Sequence, residues 1–193
     1  MNLPAGFIQR AQPLLKDDWY DFVKSLEEPS PVSIRLNRKK INTNVEEREK
    51  VDWCDNGFYL LQRPQFTFDP LLHAGCYYVQ EASSMFISQV FKQYAGDETV
   101  KVLDLCAAPG GKSTLIADMI NDDSLLVSNE VIRSRANILS ENMTKWGFPN
   151  VVVTNNDPAG FGQLNGFFHF LLVDAPCSGE GMFRKDSGAI ADW

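Results

Sequence analysis

The chain has only two histidines, His73 and His169, and four widely spaced cysteines, Cys54, Cys76, Cys106 and Cys177, with no C-x-x-C pair. That scarcity argues against a zinc site, which needs clustered His and Cys ligands. It also argues against a disulfide framework and fits a reduced, cytoplasmic protein without a metal. No run approaches the roughly 18 apolar residues of a membrane helix. The start, Met1-Asn2-Leu3-Pro4-Ala5-Gly6, lacks the basic-then-apolar layout of a signal peptide. Internal repeats and low-complexity tracts are missing as well. The net charge of -7 falls short of the basic excess that binds nucleic acid by bulk electrostatics.

What is present is ordinary globular material: 193 residues, 44% hydrophobic and 22% charged. One local exception stands out. Residues 33–40 carry Arg35, Arg38, Lys39 and Lys40 with no acid among them. Alone, such a run reads as a solvated strand end or turn; it becomes a nucleic-acid contact only if other features agree.

Residues 4–28 look helical in two pieces, the second starting at Pro13, with Trp19, Phe22, Val23 and Leu26 at helical spacing to pack a small core. Val32 to Leu36 alternates like a strand, 42–56 reads as loop or short helix, and Phe58 to Leu61 as a short strand. From Tyr77 onward the pattern changes. A helix over 81–94 is expected to bury Met85, Phe86, Val90 and Phe91, with Gly96 beyond its end as a cap. Strands follow at 100–105, 125–130, 151–154 and 168–173, with helices at 112–120 and 132–146 between them. Strands alternating with helices indicate a mainly parallel α/β sheet, behind a smaller domain that ends near residues 65–75. The run 168–173, apolar but for His169, reads as a strand covered on both faces.

The small-residue turn Asp104-Leu105-Cys106-Ala107-Ala108-Pro109-Gly110-Gly111-Lys112-Ser113-Thr114 sits between a strand and a helix, where backbone can approach a ligand. Two nucleotide readings compete. Gly111, Lys112 and Ser113 match the end of a P-loop, but Cys106 stands where its first glycine is required. The other reading is an adenosine-type cofactor in a Rossmann-like crevice. Glu130, 19 residues after Gly111, lies where an acid takes ribose hydroxyls, and Asn155-Asn156-Asp157 ends the third strand. The plainer alternative is that Glu130 caps the next helix.

The fourth strand delivers Asp174-Ala175-Pro176-Cys177. A thiolate adding to C6 of a pyrimidine turns C5 into a nucleophile toward a sulfonium methyl group. An acid such as Asp174 would hold the base. A small packed cysteine in a tight turn is the plainer alternative.

Together these residues resemble the Sun/Nop-type RNA 5-methylcytosine methyltransferases, in particular RsmF-like bacterial rRNA members. The resemblance is carried by Asp104 to Lys112, by Asn129-Glu130, by Asp157, and by Asp174-Ala175-Pro176-Cys177-Ser178-Gly179-Glu180-Gly181-Met182-Phe183-Arg184. Upstream, His73 to Met85 and Ser33-Ile34-Arg35-Leu36-Asn37 look like the family's linking segment and its R-x-N element. The resemblance implies a Rossmann-like class I methyltransferase domain over 71–193, incomplete at its C-terminal side, behind a small α+β RNA-recognition region over 1–70. It further implies that Cys106, Ala107, Ala108, Pro109, Gly110, Gly111, Lys112, Glu130, Asp157 and Asp174 line an S-adenosylmethionine site. Arg35, Arg38, Lys39 and Lys40 would help hold RNA, rRNA rather than tRNA. In the family, a second cysteine in a Thr-Cys motif is the nucleophile, and the cysteine matching Cys177 assists product release. The chain ends at Trp193, before such a motif, so the expectation is a truncated domain without activity of its own.

Overall fold

The computed structural model describes residues 2–41, 49–186 and 188–193, which form two compact units. One comprises Met1–Pro31 with Ala175–Trp193, the other Val32–Asp174.

In the first unit, helix α1 (Ala5–Leu15) and helix α2 (Trp19–Glu27) are joined by a 3-10 turn, Lys16–Asp18. Pro13 lies inside α1 instead of starting the second helix. The break comes at Lys16, whose φ of 48° no helix can continue. Leu3, Phe7 and Phe183 are buried together, with Trp19, Phe22, Val23 and Leu26 packed on them as their spacing requires.

The second unit holds two sheets. The first is antiparallel in the order β2-β3-β1-β4: β1 (Val32–Leu36), β2 (Lys50–Val51), β3 (Cys54–Leu60) and β4 (Tyr77–Val79). Ile34 lies opposite Phe58 on one side and Val79 on the other. Of the 42–56 segment read as loop or short helix, 42–48 lie outside the described residues, and 50–56 instead enter β2 and β3. Asp, Asn and Gly are poor strand formers, which hid this hairpin. Asn56 is nevertheless buried, donating to Leu36 O (2.6 Å) and to Asp118 Oδ2 (3.2 Å).

A short helix α3 (Pro70–His73), capped by Asp69, leads to β4. The helix expected over 81–94 begins as a 3-10 turn, Ser83–Phe86, and becomes α4 only at Ile87–Ala95, ending at Gly96 with φ 53°. Met85 and Phe91 are buried as expected, but Phe86 and Val90 are exposed. Val90 and Tyr94 lie on the stripe of α4 turned from the core, and Phe86 precedes its first residue.

The second sheet is parallel, in the order β7-β6-β5-β8: β5 (Lys101–Asp104), β6 (Leu125–Asn129), β7 (Val151–Thr154) and β8 (Phe170–Leu172). Helix α5 (Gly111–Ala117) follows β5, and helix α6 (Arg133–Trp146) follows β6, closed by Gly147 at φ 83°. Val102, Ile116, Leu126, Leu139 and Trp146 form the centre of the core. β8 departs from the fully covered strand its composition suggests. Among the described residues it pairs with β5 alone, and Leu171 is 61% exposed and Val173 50%.

Candidate cofactor site

In the parallel sheet, Asp104 closes β5, Glu130 follows β6, Asp157 follows β7 and Asp174 follows β8, so the register sets four acids at the carboxyl ends of four adjacent strands. Ligands of open α/β sheets bind at such ends. Asn129 ties three of these ends together. Its amide donates to Leu105 O and Asn156 O, and its oxygen accepts from Thr154 Oγ1 and Asn156 N.

The turn from β5 to α5 is held tightly. Ala107 N donates to Asn129 O (2.8 Å), and Gly110 N to Ala107 O (2.7 Å). Gly110 has φ 111°, a conformation that favours glycine, and a Cβ there would crowd Leu139 Cδ1 at 3.2 Å. Arg135 donates to Ala108 O, while Asn142 and Tyr78 donate to Pro109 O.

Asp104 is buried. Its Oδ2 accepts from Ser113 Oγ (2.7 Å), whose own oxygen accepts from Ser128 Oγ, while Oδ1 has no hydrogen-bond partner. Burial, partly offset by the Ser113 bond, pushes its carboxyl up to about 6. This also bears on the P-loop reading, because a hydroxyl buried against Asp104 is not free to ligate magnesium. Glu130 is 2% exposed. Its Oε1 accepts from Ile132 N (3.0 Å), so it does cap the segment after β6. Its Oε2 has no hydrogen bond, although Arg135 Nη1 lies 3.4 Å away. One oxygen of the carboxylate thus holds the turn before α6, and the other accepts no hydrogen bond.

Lys112 Nζ pairs with Asp174 Oδ2 at 2.6 Å. Asp157 is exposed and caps the following 3-10 turn through Ala159 N (2.8 Å). The Cys106 thiol is pushed up by burial first and then by Glu130, Asp104 and Asp174, away from thiolate character. Cys177 is exposed and belongs to the other compact unit. Two clefts of about 250 Å³ are lined by other residues, among them Arg38, Lys92 and Asp118 in one and Tyr78 and Asn142 in the other.

One of the four basic residues expected to face RNA does not. Arg35 is 0% exposed, because β1 is a central strand and its side chain runs inward to Gln80, Thr114 and Asp118. Arg38 pairs with Asp55, and Lys39 with Asp122, all on the surface. Lys40 Nζ donates to Ala74 O and Lys145 O. Asp104 and Asn129 carry the family resemblance in the sequence, but their buried hydrogen bonds show only in the fold. Among the described residues no group of three or more His, Cys, Asp or Glu side chains is placed to hold a metal, and no helix is long and apolar enough to cross a membrane.

Residues 3–82 match the family model for the N-terminal domain of the 16S rRNA methyltransferase RsmF, and residues 92–190 match the model for 16S rRNA methyltransferase RsmB/F. A ribosomal RNA small subunit methyltransferase F from Pectobacterium carotovorum is 36% identical over 100% of this chain and 43% of its own length. The chain therefore spans less than half of that relative. Among solved structures, PH0851 superposes with a TM-score of 0.85 at 25% identity, covering 99% of this chain and 45% of the other. A methyltransferase homolog protein from Pyrococcus horikoshii superposes with a TM-score of 0.75 at 28% identity, covering 94% and 62%.

Proposed function

As the chain belongs to the 16S rRNA methyltransferase RsmB/F family, we propose that it carries the S-adenosylmethionine site of an RNA cytosine-C5 methyltransferase acting on 16S rRNA. The observation that carries the reading is a pair of buried carboxylate oxygens that accept no hydrogen bond, Asp104 Oδ1 and Glu130 Oε2 (the latter 3.4 Å from Arg135 Nη1), at the ends of adjacent strands beside a glycine turn. A buried acceptor left unpaired is costly, and hydroxyl and ammonium groups are the donors it lacks. Cys106 to Lys112 line the cofactor through their backbone, Glu130 takes its ribose hydroxyls, and Asp157 and Asp174 bound the site. When bound, S-adenosylmethionine supplies an electrophilic methyl group on a sulfonium.

In the proposed chemistry a cysteine thiolate adds to C6 of cytosine and makes C5 nucleophilic. It leaves by elimination once C5 has been methylated and has lost its proton. Asp174 positions the base, which must leave any stack to reach the site, and Cys177 assists release. The addition itself is assigned to a further cysteine of the whole protein. Burial pushes the Cys54 and Cys106 thiols up, away from the nucleophilic form. Arg38, Lys39 and Lys40, in the region preceding the cofactor domain, contact RNA.

Calorimetry with S-adenosylhomocysteine tests the site: binding by the 193-residue chain is expected. A folded sample with no affinity would overturn the reading. Methyl transfer to 16S rRNA by this chain alone is expected to be absent. Turnover would overturn the assignment of the nucleophile to a residue elsewhere.

A further inference from the structure

Arg35 is the residue whose placement departs furthest from its sequence context, a cation in a basic run that the fold buries completely. All five of its N–H donors find acceptors. Nε donates to Gln80 Oε1 (2.9 Å); Nη1 to Asp118 Oδ2 (2.8 Å) and Thr114 O (3.4 Å); Nη2 to Thr114 Oγ1 (2.6 Å) and Gly111 O (3.4 Å). Its carbon Cζ lies 4.5 Å from the centre of the Trp146 ring. An ion pair with Asp118 alone would explain a buried arginine as a structural element. It would not explain why the other η nitrogen is spent on the first turn of α5.

The Thr114 hydroxyl gives the reason. It has one proton and a limited set of lone pairs. Because Arg35 Nη2 donates to this oxygen, the hydroxyl proton is directed elsewhere. Gly110 O at 2.8 Å and Gly111 O at 3.1 Å are its acceptors. Gly110 is the residue at φ 111° that turns the chain out of the candidate cofactor loop, and Gly111 is the first of α5. A relay therefore runs from the guanidinium through one hydroxyl to the two carbonyls that fix the loop's last corner. Chains of this kind polarise one another in a low-dielectric interior.

We propose that Arg35 is a positioning residue for the cofactor turn, acting through the Thr114 hydroxyl on the Gly110 and Gly111 carbonyls. The inference rests on the cofactor site proposed above. Arg35 touches no ligand itself; it makes the geometry of a β5–α5 turn depend on a strand of the antiparallel sheet.

The test is S-adenosylhomocysteine calorimetry on the 193-residue chain, with thermal melting and amide hydrogen exchange over residues 105–112. Thr114→Val keeps the side chain's shape and removes the hydroxyl. It is expected to weaken binding about tenfold, the effect of roughly one buried hydrogen bond, and to speed exchange at the turn in a protein that still melts cooperatively. Thr114→Ser restores both readouts, which a role for the methyl group would not. Arg35→Lys keeps a cation for Asp118 but cannot reach Gln80 and Thr114 together, and weakens binding similarly. Wild-type affinity and exchange in a folded Thr114→Val protein would overturn the proposal, as would a loss in Arg35→Lys that Thr114→Val does not share. Absence of binding by the wild type would remove the cofactor site itself, a result visible before any variant is made.

Discussion

The ammonium of Lys112 sits 2.6 Å from Oδ2 of Asp174, joining the first turn of α5 to the residue that follows β8. Lys112 is 27% exposed at its side chain and Asp174 59%. Pairs this open to solvent contribute little to stability. Lys112→Ala is expected to lower unfolding free energy by less than about 1 kcal/mol in urea titration. Its effect on S-adenosylhomocysteine affinity should be clearly larger than that, since Asp174 loses the group that orients it. A stability loss without an affinity change would make the pair purely structural.

Glu130→Gln separates the two jobs of that carboxyl. The amide oxygen still accepts from Ile132 N, whereas the charge at the second oxygen is gone. Cofactor affinity should fall by about tenfold or more, the cost of a charged hydrogen bond to a hydroxyl, while the melting temperature holds or rises. A folded variant binding as tightly as wild type would remove Glu130 from the site.

Asp104 carries the pH dependence. Its carboxyl titrates near 6 in the folded chain, against about 3.8 for the free group. Between those values the folded state binds more protons than the unfolded one, so stability falls as pH rises from about 4 to about 6 and levels off above. Asp118, also pushed up by burial, adds to the same trend. In Asp104→Asn the decline should flatten by up to about 1.4 kcal/mol per pH unit, one proton's share. Urea midpoints measured across pH 4 to 7 decide it, and an unchanged slope would mean that Asp104 titrates normally.

Arg38 and Lys39 supply the RNA test that Arg35 no longer can. If both contact phosphate, the double variant Arg38→Ala/Lys39→Ala should weaken RNA binding uniformly across sequences. The slope of log K against log salt should fall by about 0.7 to 0.9 per lost contact. An unaltered slope would place the RNA elsewhere.

The sequence was most readable where residue pattern and backbone geometry agree. Val32 to Leu36 and Val151 to Thr154 were found to the residue, and Gly147 closed its helix as its position foretold. The acids Glu130 and Asp174 could be placed because a parallel sheet puts its strand ends on one side. Reading failed where burial defeats composition. Asn56 and Asp55 look like loop residues until Leu36 O and Asp118 give Asn56 its hydrogen bonds. Arg35 looks like its basic neighbours until five residues distant in sequence surround it. The partners that decide such cases are non-local, so no spacing along the chain announces them. The 81–94 helix differs for the opposite reason, since Phe86 and Val90 repeat correctly for a helix while both stay largely exposed.

The Arg35–Asp118 pair also constrains how this chain can change over generations. Losing either partner alone strands a bare charge in the interior, at a cost typically of several kcal/mol. Replacing both together with well-packed apolar residues can be neutral. Neither position can therefore lose its charge by a single step, and such an exchange at one is viable only when its counterpart changes with it. Thr114 and Gln80, bonded to the same guanidinium, would be drawn into the same joint change. A descendant that abandoned the arginine would then have to find a new way to hold its glycine turn.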